Sequence, residues 1–141
     1  MASPIVESKF TYKGFTCVVL FMPMGYRCGY VGIHKGHKYY GTNYEIIPIN
    51  CHCGLTYSDK RLHRQDDENT WWIGFDCGHC CDGFDIEKIK EYFSQDKDVM
   101  IQLKHMENYY RITNDTCIVR SKEFVEEECK NIVNQLLEGG K

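Results

Sequence analysis

Trp71-Trp72-Ile73-Gly74-Phe75-Asp76-Cys77 is an apolar run of strand length that ends in a carboxylate and a thiol, and its reading decides the fold. It reads as a central strand built for a core, rich in the aromatic and β-branched residues that suit a pleated surface. In an extended strand Asp76 alternates with Phe75, so its side chain leaves the apolar face that carries Phe75.

Working outward, Phe10-Thr11-Tyr12, the turn Lys13-Gly14 and the run Phe15 to Met22 predict a hairpin. Pro23 and Gly25 break it. Tyr26 to His34 predicts a third strand, in which Gly29 and Gly32 mark close backbone approach. Gly36 to Tyr44 is a loop rich in Gly, His and Tyr. Tyr44 to Ile49 predicts a further strand cut by Pro48, and Cys51 to Tyr57 another. The charged stretch Ser58 to Thr70 carries no apolar periodicity and is expected to be an exposed loop, a candidate lid.

Downstream, Asp85 caps a helix over Ile86 to Phe93, with Ile86, Ile89 and Phe93 on one face. Tyr109 to Val119 is expected to add a strand and includes Arg111. Ser121 caps a longer helix whose acidic first turns (Glu123, Glu126, Glu127, Glu128) suit its positive end. Phe124, Val125, Cys129, Ile132, Val133, Leu136 and Leu137 form its apolar stripe, and Gly139 supplies the stop. That stripe faces either its own sheet or a second subunit, which leaves a homo-oligomer open. The fold class that follows is α+β: one domain over residues 1–141, an antiparallel sheet with a long C-terminal helix and a second, shorter helix packed on one face.

Composition narrows the function. A net charge of −3 with no basic block argues against holding DNA or RNA through phosphates. No apolar run approaches the roughly 20 residues of a membrane span. The N-terminus lacks a secretory pattern, so a cytoplasmic location is expected. Nine cysteines cannot all pair internally, and in that compartment free thiols are the first expectation.

Two cysteine–histidine clusters, Cys51-His52-Cys53 and Cys77-Gly78-His79-Cys80-Cys81-Asp82, hold most of the reactive side chains. Zinc is the first chemistry they suggest, with Cys51, Cys53, Cys77 and Cys80 as ligands. One residue between the first two thiols is too few for a zinc knuckle, so no metal or cofactor is assigned. The second chemistry uses His52, Asp76, His79 and Asp82 as general acid–base pairs. The plainer alternative is that the carboxylates cap a turn and bond to His52.

The series Cys28-Gly29-Tyr30-Val31-Gly32, Gly36-His37 with Tyr40-Gly41, His52-x-Gly54-Leu55-Thr56-Tyr57 and Trp71-Trp72-Ile73-Gly74-Phe75-Asp76-Cys77-x-His79-x-x-Asp82, with a terminal helix ending Gln135-Leu136, resembles a family of small proteins. These are encoded by bacteriophages and prophages. The family's pattern has Gly where this chain has Cys53, and small residues where it has Cys80 and Cys81, which counts against four shared thiolates. The resemblance implies a polar pocket on an aromatic scaffold, built from His37, His52, Thr56, Asp76, His79 and Asp82.

Small accessory phage proteins often counter host defence, so the expected function is sequestration of a small nucleotide-derived immune signal, a cyclic ADP-ribose-like molecule or a cyclic dinucleotide. The binding set expected for it is Arg27, Tyr30, His37, Tyr40, His52, Thr56, Trp72, Asp76, His79 and Asp82, with Trp72, Tyr30 or Tyr40 stacking on the base and Arg27, Arg111 or Arg120 meeting phosphate. Two alternatives stand beside it. One is a phosphodiesterase using His52, His79, Asp76 and Asp82. The other is a protein-binding inhibitor of a host defence enzyme.

Overall fold

Five antiparallel strands build one sheet: β1 (Ile5–Tyr12), β2 (Phe15–Phe21), β3 (Arg27–His34), β4 (Tyr57–Asp59) and β5 (Thr70–Asp76), in the spatial order β1-β2-β3-β5-β4. Three helices follow, α1 (Ile86–Phe93), α2 (Lys97–Thr116) and α3 (Lys122–Gly139). This computed structural model describes residues 2–65 and 67–139, and for 108–116 the backbone alone.

The sheet buries both faces. On one, Cys17, Val19, Val31, Ile33, Ile73 and Phe75 meet Val125, Cys129, Ile132, Val133 and Leu136 of α3. The apolar stripe of α3 therefore faces its own sheet, with Leu137 left exposed. Ser121 caps this helix as expected, its Oγ accepting from Phe124 N at 3.1 Å. Gly29 lets the helix come close: a Cβ there would sit 2.6 Å from the Phe75 ring and 2.8 Å from Val125 Cγ1. At the end of the same face α1 and α2 close over Phe21, through Ile89, Phe93, Val99 and Leu103.

On the other face Val18, Leu20, Cys28, Tyr30 and Trp72 form a second core, and Leu62 joins it from the 60–69 loop. That loop is consequently not wholly exposed. Leu62 and Gln65 are buried and bridge to each other, which folds the segment back onto the sheet. Ser58 and Asp59, expected to open the loop, belong to β4.

Three sequence expectations are corrected. Tyr44–Ile46 is a turn of 3-10 helix, not a strand, because Asn43 caps it through its side chain and Pro48 follows at once. Cys51 to Thr56 is irregular, with Cys53 and Gly54 both in the left-handed region at φ 56° and 82°. Residues 109–116 continue α2, which Asp96 starts by accepting from Val99 N at 3.0 Å. The Arg111 side chain lies outside the described residues. No helix among the described residues is long and apolar enough to cross a membrane.

Candidate functional site

Where β5 ends, three connecting segments converge. They are the turn Gly78–Gly83, the irregular stretch 51–56 before β4, and the link between α2 and α3. Asp82, only 2% exposed, is their common anchor. His52 Nε2 donates to its Oδ2 and Oδ1 at 2.9 and 3.0 Å, and Arg120 Nε donates to Oδ1 at 3.0 Å. His79 N donates to Oδ2 at 3.2 Å. Burial by itself would raise the Asp82 carboxyl, but these donors from His52, Arg120 and the His79 backbone outweigh it and hold it below the usual range.

The partnership also fixes the imidazole. A proton on His52 Nε2 leaves Nδ1 as the acceptor of the neutral ring. His52 N donates to Glu128 Oε2 at 2.7 Å, and its ring meets Phe124 edge-on at 5.4 Å. Asn50 is tied to α3 as well, through Gln135 and Asn131. The 50–52 segment is thus clamped to the helix, and Arg120 completes the wall by lying over the Phe124 ring.

A second imidazole–carboxylate pair stands beside the first. Asp76, last residue of β5, accepts from Thr56 Oγ1 at 3.1 Å and from Gly78 N at 2.9 Å. His79 Nε2 lies 3.3 Å from Asp76 Oδ1, an ion-pair separation without hydrogen-bond alignment, so this buried nitrogen has no hydrogen-bond partner. The rest of the His79 side chain is 35% exposed. The His52 and His79 rings sit 6.4 Å apart, centroid to centroid, nearly perpendicular. These are the bonds of the plainer alternative, with both carboxylates capping the turn and Asp82 bonded to His52, and they leave two His–Asp pairs side by side, one buried and one partly exposed.

Among the ten residues singled out, the structure brings together His52, Thr56, Asp76, His79 and Asp82. The other five lie elsewhere. Arg27 is 3% exposed and its guanidinium is taken up by Glu7, Asp85 and the Arg120 carbonyl. Tyr30 and Trp72 are buried in the second core, where Tyr30 packs edge-on against Tyr57. His37 and Tyr40 are at the opposite end of the sheet. The six residues of register from Cys28–Asp76 to His34–Thr70 correspond to about 20 Å of strand. There His37 Nδ1 accepts from Tyr39 N, and the Tyr40 hydroxyl donates to Glu68 O.

Glu128 is the positioning residue that the motif reading left out of the site, whereas Arg120, one of the arginines expected to meet phosphate, is at the site and bonded to Asp82. Glu128 is one of the acids in the first turns of α3, so it reads as a helix-end charge.

The cysteines do not gather as the zinc spacing would need. Cys77 turns into the α3-side core, Cys51 is half-buried, and Cys53 and Cys80 are exposed. No group of three or more His, Cys, Asp or Glu among the described residues is arranged to hold a metal ion. Burial pushes the Cys51 and Cys28 thiols up to about 12, far from thiolate chemistry at neutral pH.

Fold and site together define an α+β domain with a paired imidazole–carboxylate centre at the end of its sheet. No family model, curated protein or solved structure matches the chain.

Proposed function

We propose that the His52/His79 centre holds the phosphate of a small nucleotide-derived signal, and that the chain withdraws this signal from host defence. The observation that carries the proposal is the pair of imidazoles 6.4 Å apart, each beside its own carboxylate. A phosphate oxygen accepts from an imidazolium at about 2.8 Å. Two rings this close can both reach one tetrahedral group set across their edges, with Arg120 adding positive charge at the rim. His79, whose side chain is partly exposed while its Nε2 is buried beside Asp76, is the ring that a ligand meets first. The resemblance to phage-encoded proteins supplies the biological setting by association.

Turnover is the second reading, and the same pairing favours it. One imidazole takes a proton from water as that oxygen bonds to phosphorus, and the other gives a proton to the departing ester oxygen. Asp76 and Asp82 stabilise whichever ring is charged.

A single incubation separates the two. The protein is mixed with cyclic ADP-ribose or a cyclic dinucleotide, heat-denatured, and the supernatant resolved by chromatography. Intact nucleotide recovered only after heating supports sequestration. A linear or hydrolysed product formed by wild type and not by His79→Ala supports turnover. No retention and no product across the panel removes both.

A further inference from the structure

We infer that a second, separate site for a small oxyanion-bearing molecule lies under the 60–69 loop, against the sheet face away from α3. A hollow of about 470 Å3 opens there, lined by Lys9, Thr16, Arg64, Gln65, Thr70 and Trp72, together with Asp67. Its size falls within the usual range of small-molecule pockets.

Three independent features point to what fills it. First, Trp72 is 2% exposed, and its indole Nε1–H is buried with no hydrogen-bond partner. A buried donor left unpaired is costly, and such groups in folded proteins normally find an acceptor. The neighbouring Trp71 obeys the rule, donating to Thr42 O at 2.9 Å. Second, the two cations of the hollow have no ion-pair partner among the described residues. Asp67, the one described acid, is already engaged by Asn69 N and Thr70 Oγ1, at 2.9 and 2.8 Å. Third, Arg64 sits at φ 56°, a left-handed conformation that a non-glycine residue keeps only when its surroundings impose it. Leu62 and Gln65 bridge around it and hold the turn over the sheet.

Lys9 and Arg64 supply charge and Thr16 a hydroxyl, the complement of a phosphate ester or a carboxylate, while the Trp72 side chain forms the wall beside them and its buried N–H reports on the site. The site is independent of the imidazole centre. Trp72 and Asp76 share one face of β5 but stand four residues apart, about 13 Å, with Gly74 and the Tyr30 ring between them.

The test is a titration of the full chain followed in 1H–15N spectra, which give each tryptophan one assigned indole peak. The probes are inorganic phosphate, a nucleoside monophosphate and succinate. The Trp72 peak is expected to move saturably with at least one probe while the Trp71 peak stays put, and the pattern over the probes tells phosphate from carboxylate. In the Lys9→Ala/Arg64→Ala double variant, binding is expected to weaken about tenfold or more, the loss of one charge-assisted contact or greater. An unmoved Trp71 peak in that variant reports the intact sheet. A Trp72 peak indifferent to all three probes overturns the inference. So does a shift that the double variant leaves undiminished.

Discussion

Asp82 takes both of its carboxylate oxygens to the Nε2 of His52, at 2.9 and 3.0 Å, across thirty residues of sequence. Arg120 reaches the same carboxylate from a third segment. One side chain therefore joins the turn after β5, the approach to β4 and the entry to α3. The centre proposed to meet a ligand is also a structural clip, and the two roles separate by variant.

Asp82→Ala leaves the Arg120 guanidinium and the His52 N–H without their buried acceptor. Removing one partner of a buried charged network costs about 3 kcal/mol. Urea denaturation of this variant is expected to show a loss of that order. A change below about 0.5 kcal/mol, the usual size for an uninvolved surface site, would mean that the clip contributes nothing.

Acid should expose the same interaction. The folded Asp82 carboxyl is held below its ordinary value by His52, Arg120 and the His79 N–H acting against burial. Its contribution is complete above the unfolded-chain value of about 3.9 and is lost as pH falls through the lower folded value. Denaturation midpoints between pH 6 and pH 2 are expected to drop more steeply in wild type than in Asp82→Asn, with the difference concentrated below about pH 4. Parallel curves contradict the assignment.

His79 and His52 should fail differently. His79→Ala removes a partly exposed ring and is expected to unfold like wild type while losing ligand retention or turnover about tenfold or more. His52→Ala empties a place beside Phe124 and strips a donor from Asp82, so it should lose stability as well. His52→Gln can keep an N–H toward Asp82, and it is expected to recover most of the stability without the activity. Equal activity in His79→Ala and wild type would remove His79 from the site.

Gly29→Ala tests how α3 is seated. The added methyl meets Phe75 and Val125 well inside van der Waals contact, and overpacking of this kind costs about 1–3 kcal/mol. Thermal unfolding of that variant should begin several degrees lower. An unchanged midpoint would show that the helix can slide outward freely.

The sheet and two of its helices were legible because their signals are local. The Lys13-Gly14 turn, the run Phe15 to Phe21 and the Ser121 cap each announce themselves within a few residues. Helix α2 is hard to read from sequence because many of its residues are polar, and Tyr109, Tyr110 and Ile112 in sequence mimic a strand. Its usable signal was Asp96 as a cap with Val99 and Leu103 four apart. The imidazole–carboxylate centre was legible in part. His79 and Asp82 share a motif with Asp76, but the pairing of His52 with Asp82 depends on how α3 clamps residues 50–52. Arg27 illustrates the opposite error: read as a phosphate ligand, it is held by Glu7, twenty residues earlier, on the neighbouring part of the fold.

The most direct measurement of the central claim is a 15N-imidazole titration of the labelled protein with cyclic ADP-ribose and with a cyclic dinucleotide. The ring nitrogens of His52 and His79 are expected to shift together, with one common saturation point, for at least one of these molecules. Imidazoles that titrate independently, or that stay unmoved by both nucleotides at millimolar concentration, would contradict a shared ligand centre.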